Sequence, residues 1–159
     1  MTKPTKFENL ANNHLKIKLF MLTKLPLAFL ARLRVDHMDL SKAAVSIPYS
    51  YLNKNPFRSV YFAALSMAAE LSTGILAMAH IEKSKQPVSM LVLGMRAEFL
   101  KKAKTRIVFT CDQGELLAKA IAESIAENTG KTREVYTTGI DKNGEIVAKF
   151  WFTWTFKPK

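Results

Sequence analysis

Residues 59–81 read SVYFAALSMAAELSTGILAMAHI, and Glu70 is the only carboxylate, lysine or arginine between Arg58 and Glu82. A carboxylate on so apolar a helix either loses water, at a cost of several kcal/mol unless it is hydrogen-bonded, or faces a cavity that keeps it solvated. Either placement makes Glu70 a candidate catalytic group. At about 1.5 Å of rise per residue, residues 58–81 form a rod of about 36 Å, long enough to cross a whole sheet. The reading predicts a central helix over 57–81. The same length suits a membrane span. Against that, the stretch is dominated by alanine and carries Ser59, Ser66, Ser72, Thr73 and Gly74. A central carboxylate also adds roughly 2.5–3.5 kcal/mol to insertion. A helix buried on a sheet is the expectation.

Working outward, Asn53-Lys54-Asn55-Pro56 forms a polar loop that leads into this helix, and residues 43–51 before it alternate as a strand does. Further upstream, residues 12–32 mix Leu15, Ile17, Leu19, Phe20, Leu22 and Leu25 with Lys16, Lys18, Lys24 and Arg32. That pattern predicts an amphipathic helix, kinked at Pro26, within an N-terminal helical region 1–35. Its interior lysines argue against a membrane span. A basic amphipathic helix can lie on a bilayer surface, but packing against the domain's own sheet is the preferred reading. Downstream, VSMLVLGMRAEFL, a basic KKAKT turn and RIVFTC read as a hairpin. Leu116, Leu117, Ala120, Ile121 and Ile125 then recur at helical spacing, with Gly130 placed as a stop. The tail forms two strands around an Asn-Gly turn, with Ile146, Ala148, Phe150, Phe152, Trp154 and Phe156 on one face.

The 159 residues fit a single domain, 1–159, and a chain of this length buries about two-thirds of the surface it exposes when unfolded. An apolar fraction of 48% argues for a packed globule. The formal charge of +11 attracts anions: nucleic acid, acidic headgroups or phosphorylated cofactors. With no RNP-type motif, zinc spacing or GxxG loop, and with scattered lysines and arginines, no nucleic-acid partner is expected. Cys111 is the only cysteine, which forbids an intramolecular disulfide, and its VFTCDQG setting suits a core strand position. With no signal-peptide pattern, the expected location is the cytoplasm. No CxxC or HExxH occurs and His14, His37 and His80 are far apart, so no metal site is expected.

The order of helix, strand, long central helix and several antiparallel strands resembles the hotdog-fold thioesterases over nearly all of the chain. Two segments carry the likeness. One is the Asn55-containing loop that runs into the Glu70 helix. The other is Phe99-Leu100-Lys101-Lys102-Ala103-Lys104, which looks like the family's "FL-x-PAK". The nearest likeness is to an uncharacterised branch related to the phenylacetate-type acyl-CoA thioesterases. The resemblance implies an α+β fold in which an antiparallel sheet wraps around a long central helix, with an N-terminal helix. It implies a thioester hydrolase: Glu70 as general base or nucleophile, Asn55 positioning water or substrate, and the Phe62 backbone N–H polarising the carbonyl. The family's usual His-Gly-Gly reads Tyr61-Phe62-Ala63 here. It further implies a homodimer or dimer of dimers with sites at the interface.

Around Glu70 the helical neighbours Ser66, Met67, Thr73 and Gly74 leave a wall that admits an acyl chain, and Thr73 adds a hydrogen bond. Lys101, Lys102, Lys104 and Arg106 suit the phosphates of coenzyme A, or else form a solvated edge that discourages aggregation. Asn55, just before Pro56, equally suits a turn or helix cap. No cofactor is required; coenzyme A enters as part of an acyl-CoA or other acyl thioester substrate. The alternative is a non-catalytic hotdog protein that binds an acyl group or serves as an interaction module.

Overall fold

The structure, a computed structural model, describes residues 4–159, so the first three residues of the expected 1–35 helical region lie outside the described residues. In chain order its elements are α1 (Lys6–Ala11), α2 (His14–Lys24), α3 (Pro26–Leu30), β1 (Arg34–Met38), β2 (Ala43–Ile47), a 3-10 turn (Tyr51–Asn53), α4 (Phe62–Ser84), β3 (Val88–Phe99), β4 (Ile107–Cys111), α5 (Gly114–Glu127), β5 (Lys131–Ile140) and β6 (Ile146–Pro158). The strands form one sheet in the order β1-β2-β4-β5-β6-β3, with every neighbouring pair antiparallel.

The central helix packs against β2, β4, β5 and β6, and α5 lies alongside it. Its alanines make this possible: Ala68, Ala69, Ala77 and Ala79 are fully buried, and their small side chains let strands approach closely. Although α4 is long and apolar enough to cross a bilayer, 67% of that stretch is buried inside this protein. Opposite it, β6 directs Ala148, Phe150, Phe152, Trp154 and Phe156 inward, as the alternation predicts, while Ile146 at the strand's start is exposed. Phe150 meets Phe109 edge to face, with centroids 5.6 Å apart. Burying each such ring contributes about 1.5–3 kcal/mol. Cys111 is buried on β4, and burial pushes its thiol up to about 11, which leaves it unreactive.

Several expected boundaries move, each for a physical reason. The central helix begins at Phe62 rather than near residue 57 because the preceding backbone is engaged elsewhere. Val60 N–H donates to Ala103 O at 2.7 Å and Tyr61 N–H to Asn53 O at 2.7 Å. The expected hairpin of residues 88–111 does not form: β3 pairs only with β6, and β4 lies between β2 and β5. The KKAKT segment is a crossing, not a turn, for Ala103 is buried and Leu100 and Lys101 N–H both donate to Val147 O. The 43–51 strand stops at Ile47, ahead of Pro48. The 12–32 helix is two helices, broken where Leu25 leaves helical geometry before Pro26, and a short α1 precedes them. The expected 1–35 helical region ends at Leu30, and residues 34–38 instead form β1. Its Met38 backbone is paired by the Asn12 side chain, Nδ2 donating to the carbonyl at 2.6 Å and Oδ1 accepting from N–H at 3.0 Å. The α5 stop is Asn128, in left-handed geometry with φ 48°, two residues before Gly130.

Gly139 on β5 shows how tightly the sheet closes over its core. A Cβ there would lie 2.5 Å from the Phe109 ring. Gly139→Ala is therefore expected to destabilise the protein by about 1–3 kcal/mol, read as a lower urea midpoint with unchanged m-value.

Candidate active site

Glu70 lies two turns into α4 on a half-buried face shared with Ala63, Ser66 and Met67. The break between α2 and α3 roofs this face. Lys24, Leu25, Pro26, Leu27 and Ala28 enclose, with Met67, Glu70 and Leu71, a cavity of about 320 Å³. Gly74, one turn on, keeps the carboxylate close to the core: a Cβ at Gly74 would lie 3.3 Å from Glu70 Oε1 and 3.5 Å from the Trp154 ring. Among the described residues no hydrogen bond or ion pair reaches this carboxylate. Desolvation alone raises its pKa above the ordinary carboxylate value. Thr73, expected to contribute a hydrogen bond here, is fully buried and makes its hydrogen bonds inside the fold. Its hydroxyl donates to Glu70 O at 2.9 Å and accepts from Trp154 Nε1–H at 3.0 Å.

A second feature lies at the start of α4. The N–H groups of its first turn have no acceptor within the helix, and among the described residues no side chain caps them. They open on a cleft of about 580 Å³ between the 55–62 loop and the 99–103 crossing. Phe62 stands half exposed at its mouth, edge to face with Tyr61 and Phe99. Asn55 borders the same cleft, but its Oδ1 is already an acceptor for Phe57 N–H, Ser59 N–H and the Ser59 hydroxyl. This is the turn-forming role that its place before Pro56 allowed.

The four basic residues do not form one cluster. Lys101 and Lys102 line the cleft, with Lys101 ion-paired to Asp141 at 3.4 Å and to Glu145. Lys104 is exposed and lines neither cavity. Arg106 donates from Nη1 to Ser46 Oγ at 3.0 Å and faces a different cleft, with Lys18, Arg32 and Arg34. That further cleft was invisible to sequence reading because its residues come from segments as far apart as His14 and Arg106. A sharper missed signal was Asn53, whose buried amide donates to Ala31 O at 2.8 Å and Pro48 O at 3.0 Å, joining the end of α3 to the loop before α4. A polar residue so close to Asn55 and Pro56 reads as part of an exposed loop and gave no hint of burial.

One helix separates the two features. Phe62 and Glu70 are eight residues apart, about 12 Å along the axis. A single thioester carbon cannot touch both on one chain.

Comparison with known proteins bears on the family and the fold. A family described as a domain of unknown function, DUF4442, matches residues 14–156. The chain belongs to the DUF4442 family. Among curated proteins, none matches it. A Pseudomonas aeruginosa protein described as a probable thioesterase is similar to this DUF4442 chain with TM-score 0.76 and 18% identity, over 94% of this chain and 99% of that one. A Haemophilus influenzae thioesterase is similar with TM-score 0.69 and 6% identity, over 92% and 91%. A Chlorobaculum tepidum protein of unknown function is similar with TM-score 0.78 and 14% identity, over 91% and 93%. At such identities the likeness is one of fold, and the fold is the hotdog: an antiparallel sheet wrapped around a long central helix, preceded in this DUF4442 chain by N-terminal helices.

The carboxylate's surroundings give a signed pH dependence. Because the folded state binds the Glu70 proton more tightly than the unfolded chain does, its contribution to stability is present at low pH and is lost as pH rises through the folded pKa. Glu70→Gln, neutral throughout, should therefore be more stable than the parent at pH 8, with the difference shrinking below about pH 4. Urea midpoints across that range check this, and a difference that grows toward acid would contradict the desolvated placement.

Proposed function

We propose that this DUF4442 protein hydrolyses acyl thioesters, with the phenylacetate-type acyl-CoA thioesterases as its nearest functional relatives. The observation that carries the proposal is the desolvated Glu70 carboxylate, unpartnered among the described residues, facing a cavity whose lining is apolar except for Glu70 itself and Lys24. A base with raised pKa takes a proton from water efficiently near neutral pH. The free N–H groups at the start of α4 and the positive end of that helix suit the oxyanion that forms on the thioester carbonyl. Water adds to the carbonyl carbon as its proton passes to Glu70. The tetrahedral intermediate then collapses, the carbon–sulfur bond breaks and the thiolate leaves with a proton. Phe62 supplies the oxyanion donor through its backbone, which any residue type but proline provides. Lys102 at the rim of that cleft suits a phosphate of coenzyme A.

Two copies resolve the separation along the helix. The carboxylate of one chain works with the α4 start of another, so the active unit is a homodimer. Strand β3 supports this. It is a twelve-residue edge with one side unpaired, and Leu91, Leu93, Met95 and Phe99 on it are exposed, a combination that invites strand pairing.

The test is thiol release from a panel of acyl-CoAs. Turnover is expected, with Glu70→Gln lowering kcat/KM at least about a hundredfold. Phe62→Pro removes the first N–H while keeping a helix start that tolerates proline; it should lose activity where Phe62→Ala keeps it. Mixing the inactive Glu70→Gln and Phe62→Pro variants should restore turnover, since a mixed dimer contains one intact pairing. Tight acyl-CoA binding without thiol release by the parent would instead support the non-catalytic acyl-binding reading.

A further inference from the structure

Helix α2 is apolar on two opposite faces. Ile17 and Met21 are buried against the fold, while Leu15, Leu19 and Leu22, on the far side, are 78%, 61% and 48% exposed. At about 100° per residue these three leucines span a stripe about 60° wide, with Lys18 on one flank and Lys16 on the other. Leu30 of α3, 56% exposed, continues the apolar surface. Nothing among the described residues covers it.

Beside the stripe runs a cleft of about 460 Å³, lined by Lys18, Arg32, Arg34 and Arg106, with Leu30 at its apolar wall. Among the described residues no carboxylate lines it. From Asn9 to Val35 the sequence carries Lys16, Lys18, Lys24, Arg32 and Arg34 and not one acidic residue. Among the described residues only Arg34 of these has an ion-pair partner, Asp36 at 3.0 Å. Arg32 itself sits in left-handed geometry, φ 59°, at the end of α3, where Leu33 N–H reaches back to Ala28 O and glycine is the usual occupant.

We propose that this face docks on an anionic phospholipid surface, with Leu15, Leu19 and Leu22 entering the headgroup–acyl boundary and a lipid phosphate seated in the Lys18–Arg32–Arg106 cleft. Charge selects this occupant. A second copy on the same patch would set two rows of lysine against each other, whereas an acidic bilayer complements both the flanking lysines and the chain's net charge of +11. Location agrees: α2 packs on β1, at the opposite edge of the sheet from β3. Pairing through β3 therefore leaves the leucine stripe of each copy free. The apolar stripe supplies insertion and the basic cleft supplies lipid selectivity, the two signals that stable surface binding needs.

The test is co-sedimentation of the full chain with vesicles of phosphatidylcholine alone and of phosphatidylcholine with phosphatidylglycerol. Binding is expected only to the acidic vesicles, weakening as salt is raised. Leu19→Glu should reduce partitioning at least about tenfold, since it places a charge where an apolar side chain inserts. Arg32→Gly relieves a left-handed residue and should keep or raise thermal stability, yet weaken vesicle binding by roughly fivefold for the lost charge. Failure of the parent to sediment with acidic vesicles would overturn the proposal. So would equal binding by the Leu19→Glu protein, which would reduce the effect to unspecific charge attraction. A change of oligomeric state in Leu19→Glu, measured by light scattering, would assign the stripe to contact between copies instead. None of these outcomes depends on hydrolytic activity.

Discussion

The structure depends on one enclosure: an alanine-rich helix held against four strands. Because α4 intersperses the buried methyl groups of Ala68, Ala69, Ala77 and Ala79 among Leu65, Leu71, Ile75 and Leu76, the sheet packs closely on it, with Phe109, Phe150, Phe152 and Phe156 in the same core. The same closeness requires Gly139 under Phe109 and Gly114 against the Leu40 carbonyl, where a Cβ would lie 2.0 Å from the oxygen. It also decides where polarity is permitted. Ser72 and Thr137 satisfy each other in the core at 2.9 Å, and Thr73 satisfies the Trp154 indole. Glu70 is the one charge-bearing side chain in the apolar stretch of this helix, and among the described residues it stands without a partner beneath the cover of the α2–α3 break.

How much of this the sequence disclosed follows from the range of the interactions involved. The isolation of Glu70 among apolar residues, the alternation of β6 and the Asn-Gly turn are local patterns, and each maps onto the structure nearly as read. Asp141 Oδ1 accepts from Asn143 and Glu145 N–H to close that turn, with Gly144 at φ 82°. Strand pairing is not local. The segment 88–111 looks like a hairpin because two apolar runs flank a short polar one, yet β6 offers β3 a far longer partner, in register from Val88 to Phe99 apart from one bulge. A cross-strand ladder of that length outweighs the turn propensity of one short basic segment.

The candidate site was legible in its residue types and illegible in its assembly. Asn55, Phe62 and Lys102 do border one cleft, but Glu70 faces another and Arg106 a third. One-dimensional spacing could not separate them, since Lys101 to Arg106 are neighbours in sequence while the chain crosses between them from the edge strand β3 to β4 in the middle of the sheet. Likewise the 12–32 pattern registered leucines and lysines without showing that Ile17 and Met21 face inward and Leu15, Leu19 and Leu22 face out. A helix with two apolar faces gives a weak period in sequence, because the second stripe cancels the asymmetry that the first creates.

That cancellation bears on why the N-terminal helices are there at all. If their task were only to roof Glu70, the inward residues and the Leu25–Ala28 corner would suffice, and the outward face would be free to be polar, as exposed helix faces usually are. Exposed leucine on a solvated helix offers nothing to folding and exposes the chain to aggregation. Here three outward leucines on α2 coincide with a segment purged of acidic residues and with an arginine held in a geometry that glycine adopts without strain. Each of these is neutral or costly for the isolated molecule, and each becomes favourable against one surface that is apolar beneath and negative above. On the proposed reading, the fold holds a hydrolytic carboxylate beneath a corner whose neighbouring helix is shaped for the interface where long acyl chains partition.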